Sequence, residues 1–245
     1  MVADEVPEFV CPGPVAVLGD IHGSFQALRE LLPQLGHREV FVIGDVCDRG
    51  PDTKGVIDLL ISRNARGVQG NHEEWLRQWV LEGTLQAGAA HGGMGSRTTL
   101  ESYGVWTDAS KPDHRGVPES HRTWLRALEH LAGLTVCGEK FWMVHAGISP
   151  SFARTLRPKE TVAAIVPRMY RERDHYALWN DSPPEHSLAV DRPVIMGHKS
   201  LPEPLLRSHV LAIDTGAGTK RTGKLSALLL PERRTLSVPA PGAFL

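Results

Sequence analysis

The chain has 245 residues, 41% apolar and 22% charged, with 27 basic against 28 acidic side chains and a net charge of −1. That composition fits a folded globular protein and excludes a disordered one. The near-zero charge argues against nucleic acid or a membrane surface as partner, and no apolar stretch reaches the roughly 18 residues of a membrane span.

Three cysteines, Cys11, Cys47 and Cys137, are too few for a disulfide framework. Residues 1–10 carry acids where a signal peptide needs bases. Reduced thiols and a cytoplasmic location are expected. The run P-V-A-V-L (14–18), bounded by Pro and Gly, reads as a buried strand. Phe25, Leu28, Leu31, Leu32 and Leu35 form a helical stripe behind Ser24, the expected N-cap. A second strand follows at 40–43. Val56, Leu59 and Leu60 mark a helix entered through Pro51 and Asp52. A weaker strand at 66–69 precedes a helix over 73–81. This alternation predicts βαβ units, with one domain over 1–245. Residues 83–118 are Gly-rich and irregular. A helix is expected over 123–131, then strands at 134–137, 141–144, 194–196 and 210–213. A closing hairpin over 225–238 turns at P-E-R-R. Residues 150–190 show no clear pattern.

Five apolar runs end at a Gly beside Asp, Asn or His. These are G-D-I-H-G (19–23), G-D-V-C-D-R-G (44–50), G-N-H-E (70–73), H-A-G (145–147) and G-H (197–198). Sites in open α/β sheets assemble at the carboxyl ends of strands. Asp20, His22, Asp45, Asn71, His145 and His198 offer carboxylate, amide and imidazole donors. That mixture suits Mn first, with Fe or Zn as alternatives, better than Ca or Mg. Six ligands around one ion would leave no place for substrate. Shared between two ions, with Asp45 as the bridge, they leave room for water. Two ions roughly 3.5–4 Å apart clamp a phosphoryl group, and a water between them would attack phosphorus directly. His72 would protonate the leaving group, Asp48 would orient that imidazole, and Arg49 offers a planar fork to phosphate oxygens. Arg49, Asn71 and His72 are the expected substrate contacts.

This ordered set resembles the phosphoprotein phosphatase family of binuclear metallophosphatases, over residues 15–216. The resemblance implies a calcineurin-like metallophosphoesterase fold, an α/β architecture with a central two-sheet β-sandwich flanked by helices. It implies that Asp20, His22 and Asp45 hold one ion, and that Asp45, Asn71, His145 and His198 hold the second. The implied activity is hydrolysis of phosphoserine and phosphothreonine esters in proteins. The H-A-G-I-S-P and D-T-G segments look like the bacterial branch, which makes symmetrical diadenosine-tetraphosphate hydrolysis the alternative. The substrate is therefore expected to be a phosphoprotein or a phosphorylated small molecule.

The family's second phosphate-binding arginine has no counterpart after L-W-N-D (178–181), which leaves Arg97, Arg154 and Arg192 as stand-ins. Cys47 is expected to be inert. Histidines 37, 91, 114, 121, 130, 175, 186 and 209 read as surface or loop residues. Gly218, Gly223 and Lys224 spell the start of a P-loop, but Leu225 stands where the hydroxyl is needed.

Overall fold

Strand β2 (Val15–Leu18) is buried at every position, so both of its faces are covered. The computed structural model describes residues 5–90, 93–105, 112–153 and 164–242. Along the chain run β1 (Glu8–Cys11), β2, α1 (Phe25–Leu31), β3 (Glu39–Val42), α2 (Thr53–Ser62), β4 (Arg66–Gly67) and α3 (Asn71–Arg77). Short helices α4 (Ala87–Ala90) and α5 (Ser96–Ser102) lead to α6 (Glu119–Ala127). Then come β5 (Ala132–Val136), β6 (Glu139–Met143), α7 (Pro150–Ala153), α8 (Ile165–Glu172) and α9 (Tyr176–Trp179). The remaining strands are β7 (Val194–Met196), β8 (Leu205–Leu206), β9 (Val210–Ala212), β10 (Lys224–Leu230) and β11 (Arg234–Pro239). No described helix is long and apolar enough to cross a membrane.

The strands form two sheets. One has the order β11-β10-β2-β3-β4, the other β1-β5-β6-β7-β9-β8. Strand alternation builds three apolar cores between four layers. Val15, Val17, Phe41, Ile43 and Leu228 point inward and meet Leu134, Phe141, Met143, Ile195 and Leu211 from the facing sheet. Their neighbours Ala16, Leu18, Val40, Val42, Ala227 and Leu229 point outward onto α1, α2, α3 and α6. On the far side Trp142, Val144, Val194, Met196 and Val210 pack on Ile165, Val166 and Met169 of α8. The result is the expected α/β sandwich flanked by helices.

β2, β3 and β4 run parallel, as do β6, β7 and β9. Within each parallel set the following loops therefore leave from the same edge.

Three local expectations need correction. Ser24 precedes α1 but makes no capping hydrogen bond, whereas Asp52 caps α2 by accepting from Gly55 N at 2.7 Å. The helix read over 123–131 ends at Ala127, because Leu128 takes extended backbone (φ −68°, ψ 129°). Residues 128–131 are apolar because they enter the core on the way to β5. His121 and His130 are buried rather than superficial. His121 lies between Tyr103 Oη and Asp58 Oδ1, at 2.8 and 2.9 Å, and His130 Nε2 donates to Asp174 O at 3.0 Å. His91 lies outside the described residues.

Candidate active site

The motif loops meet at one edge of the sandwich. Ile21 N and His22 N both donate to Asp45 O at 2.9 Å, which ties the loop after β2 to the loop after β3. His198 N donates to Asp20 Oδ2 at 3.0 Å and brings in the loop after β7. His22, Asp45, Asp48, Arg49 and His198 all have left-handed backbone, with φ between +44° and +72°. Such residues cluster where a fold spends stability to aim side chains. Glycine is required nearby for a different reason. A Cβ at Gly70 would collide with Asp45 Oδ1, and one at Gly197 with Asp20 Oδ1.

Asp45 is the centre of the cluster. Its Oδ2 lies 3.6 Å from His22 Nε2 and its Oδ1 3.4 Å from His145 Nε2. Two groups of potential metal-binding atoms share it, His22–Asp45–His72 and Asp45–His145–His198. Asn71 Oδ1 completes the second group, 3.1 Å from His145 Nε2 and 3.0 Å from His198 Nδ1. Asp20 is buried beside this set but is turned onto the His198 backbone and stands outside both groups.

This donor set fits divalent cations. His22 Nδ1 donates to Cys47 O at 2.9 Å and His145 Nδ1 to Ile43 O at 2.8 Å. A carbonyl only accepts, so whenever either ring is neutral its bare Nε2 lone pair faces Asp45. Oxygen and nitrogen lone pairs facing one another repel unless a cation or a proton sits between them. Arg49 supplies part of that charge here. Its Nη1 donates to His22 Nε2 at 2.9 Å and its Nη2 to His72 Nε2 at 3.1 Å.

The electrostatics follow from burial and Asp45. Burial opposes charge on His145, yet the Asp45 carboxylate overrides it and lifts this pKa to about 10. Burial and the His145 charge push His198 down to about 3. Burial and the neighbouring Asp214 carboxylate hold Asp20 well above the usual carboxylate range. Burial also works against a charged His72, but Asp45 and Asp48 outweigh it and raise its pKa. Arg49 can donate to Nε2 only while that ring is neutral. The contact seen here is that of the neutral ring.

His72 and Asp48 form a buried pair, with His72 Nδ1 donating to Asp48 Oδ2 at 2.6 Å. Trp75 Nε1 donates to the same oxygen at 2.9 Å, and Thr99 Oγ1 donates to Asp48 Oδ1 at 2.7 Å. The sequence reading missed both supports. It also assigned no role to Glu73, whose carboxylate accepts from Asp45 N (2.7 Å), Val46 N (2.9 Å) and Gly70 N (2.7 Å). A fourth residue it left without a role is Asp214, fixed by Gly216 N and Ser200 Oγ at 2.7 and 2.8 Å. Only the G-N-H-E and D-T-G strings hinted at these acids.

Cys47 is buried, and burial with the nearby Asp48 and Glu73 charges pushes its thiol well above the usual range. Neither described stand-in arginine reaches the cluster. Arg97 is exposed and pairs with Glu101 at 2.7 Å. Arg192 precedes β7, at the end opposite His198, and pairs with Glu8 at 2.7 Å. Arg154 lies outside the described residues.

Comparison with known proteins agrees with this architecture. The sequence model of the calcineurin-like phosphoesterase family matches residues 13–224. Among curated relatives, the bis(5'-nucleosyl)-tetraphosphatase PrpE [asymmetrical] of Bacillus cereus is 29% identical, over 93% of this chain and 95% of that protein. The protein of the same name from Anoxybacillus flavithermus is 27% identical, over 91% and 93%. A solved structure provisionally named a diadenosine tetraphosphatase superposes with a TM-score of 0.60 at 20% identity, covering 98% of this chain and 100% of its own. A protein serine/threonine phosphatase from Saccharomyces cerevisiae, similar to human phosphatase PP5, gives 0.54 at 13% identity, over 98% and 84%. Both likenesses concern the fold. With the family match spanning most of its length and the motif loops gathered at one sandwich edge, the chain belongs to the calcineurin-like phosphoesterase family.

Proposed function

We propose that this phosphoesterase hydrolyses dinucleoside tetraphosphates and cuts them asymmetrically, into a nucleoside triphosphate and a nucleoside monophosphate. The observation that carries the phosphoryl chemistry is the position of Asp45, shared by two groups of metal-binding atoms with the His72–Asp48 pair alongside. The choice of substrate is supported by the curated relatives, whose alignments run the length of both chains. This reverses the order of preference drawn from the motifs, where phosphoserine and phosphothreonine came first. It also replaces the symmetrical cut with an asymmetrical one. Phosphoprotein hydrolysis stays as the second reading, favoured by the three ordered motifs at 19–23, 44–50 and 70–73.

In this reading His22, Asp45 and Asp20 would hold one divalent ion, with Asp20 turning off the His198 amide and His72 left free as proton donor, and Asp45, Asn71, His145 and His198 would hold the other. Bound there, the ions would neutralise phosphoryl oxygens and make a water acidic enough to act as nucleophile near neutral pH. Arg49 leaves the two imidazoles and grips the phosphate through its planar fork. The attacking oxygen, its water having released one proton to solvent, bonds to phosphorus as the bridging P–O bond breaks, and the released oxygen takes the electron pair. His72 Nε2 gives its proton to that oxygen when it is too basic to leave as an anion. Asp48 holds the ring in the required orientation and stabilises its charge. Glu73 fixes the Asp45 backbone and keeps the shared carboxylate in place.

The test is kcat/KM with Mn²⁺ for diadenosine tetraphosphate and for a phosphothreonine peptide, side by side. The reading expects the dinucleotide to be preferred. A preference for the peptide would return the protein to the second reading.

A further inference from the structure

A polar cavity of about 450 Å³ opens on the helix that carries His72. Asn71, Glu74 and Gln78 stand at i, i+3 and i+7 and so share one face of α3 and its continuation. Asn71 faces His145 and His198, while Glu74 and Gln78 line the cavity. Seven residues of helix advance the chain by roughly 10 Å. The cavity therefore begins within one nucleotide's length of the Asn71 amide.

Its walls contain three guanidinium groups, Arg77, Arg126 and Arg173. Among the described residues none of the three has a carboxylate within 4.0 Å. Arg77 Nη1 donates to Leu128 O at 2.7 Å, and Arg173 lies 4.7 Å over the Tyr170 ring. The walls also hold carboxylates, but two of these already have donors. Glu74 accepts from Trp179 Nε1 at 2.6 Å, and Glu129 from Tyr170 Oη at 3.5 Å. Glu82 is exposed at the rim. Burial holds Arg77 below its usual pKa, as do the neighbouring Arg173 and Arg126 charges, against the pull of Glu73 and Glu129. Guanidiniums that share a wall with carboxylates but are in ion-pair contact with none of them keep N–H donors for phosphate oxygens.

Trp179 joins this cavity to the phosphate-handling cluster. Its Nε1 holds Glu74, and its ring stands edge-on to His198 at 6.5 Å. His175 stacks on the same indole at 5.7 Å with the planes 18° apart; it is exposed, with the Tyr176 ring edge-on at 6.4 Å. An exposed aromatic pile of this kind offers a nucleobase a place to stack.

We propose that this cavity is the subsite for the substrate's far arm, with Arg77, Arg126 and Arg173 on its phosphates and the His175–Trp179 pile under its base. The proposal rests on the dinucleoside-tetraphosphate reading and deepens it. A phosphoamino acid has no such arm, so the cavity separates the two substrate classes.

The test uses the Arg126→Ala/Arg173→Ala double variant of the metal-loaded enzyme, which spares the Arg77–Leu128 contact. Three quantities are read: kcat/KM for diadenosine tetraphosphate, kcat/KM for p-nitrophenyl phosphate, and the inhibition constant of ATP against p-nitrophenyl phosphate. The first is expected to fall roughly ten- to a hundredfold, mostly through KM, as for the loss of one or two charge-assisted hydrogen bonds. ATP inhibition should weaken by a similar factor, while p-nitrophenyl phosphate, too short to reach the cavity, keeps its rate. His175→Ala should weaken inhibition by ATP and leave inhibition by inorganic tripolyphosphate as it was. Unchanged ATP inhibition in the double variant would overturn the subsite. If the wild-type enzyme does not cleave the dinucleotide, the function reading fails by itself, and the ATP comparison still decides the cavity. A variant that loses p-nitrophenyl phosphate turnover as well would place the arginines in the fold or the common chemistry, and would also overturn the proposal.

Discussion

His72 Nδ1 donates to Asp48 Oδ2 at 2.6 Å, and Trp75 and Thr99 hold that carboxylate from two other sides. The imidazole is thereby fixed with Nε2 facing the Asp45 cluster, 3.9 Å from Asp45 Oδ2. This is the placement a proton donor needs. It leads to a prediction that depends on the leaving group. An alkoxide leaves poorly without a proton, whereas a polyphosphate leaves as a stable anion. His72→Asn should therefore cut turnover of an alkyl phosphate about 10²–10⁴-fold and turnover of diadenosine tetraphosphate much less. Metal analysis should find the ions retained. Equal losses on both substrates, or loss of metal, would contradict the role of His72.

The pH profile follows from the same pair. The His72 pKa is raised above 6.5, so the charged ring is present at low pH and is lost as pH rises through the raised value. The kcat/KM for an alkyl phosphate should fall on the alkaline side, beginning above pH 6.5. Asp48→Asn removes one of the charges that raise it, so the alkaline limb should move to lower pH. An unmoved limb in that variant would mean that another group sets it.

Asp45 is shared by both groups of metal-binding atoms, so its loss should act on both. Asp45→Asn should remove metal and activity together, measured by elemental analysis beside turnover. Full metal content in an inactive variant would refute the shared role.

Glu73 reaches Asp45 only through backbone, which makes it a positioning residue. Glu73→Gln keeps the volume but turns an amide N–H toward Asp45 N, Val46 N or Gly70 N. The expected losses are roughly 10–100-fold in metal affinity and about 1–3 kcal/mol in stability. Metal titration and denaturant unfolding read the two separately. Weakened metal binding at unchanged stability would still fit positioning, whereas no change in either would not.

Much of this was legible in the sequence because strand ends and chemistry coincide. The buried runs Val15–Leu18 and 40–43 each stop at Gly-Asp, and a glycine that must admit a carboxylate, such as Gly70 or Gly197, leaves a local trace. What was not legible comes from across the chain. Thr99 lies 51 residues from Asp48, and Trp179 lies 105 residues from Glu74. No local periodicity announces such contacts. Strand β1 escaped notice because its four residues alternate between exposed and covered positions at the start of the chain. His121 and His130 were misread because a histidine gives no sign of burial until its partners are known.

His130 also gives a stability test outside the site. Burial pushes its pKa down to about 4, so the unfolded chain binds a proton that the folded chain refuses between about 6.5 and 4. Stability should fall as pH drops through that window, by on the order of 3 kcal/mol from this group. His130→Gln should flatten that part of the curve in denaturant titrations at stepped pH. An identical slope in the variant would assign the acid sensitivity elsewhere.

The most direct measurement is chromatographic resolution of the nucleotides released from diadenosine tetraphosphate by the Mn²⁺-loaded enzyme. The account predicts ATP and AMP in equal amounts from the first turnovers. ADP alone, or an intact dinucleotide beside a dephosphorylated phosphothreonine peptide, would contradict it.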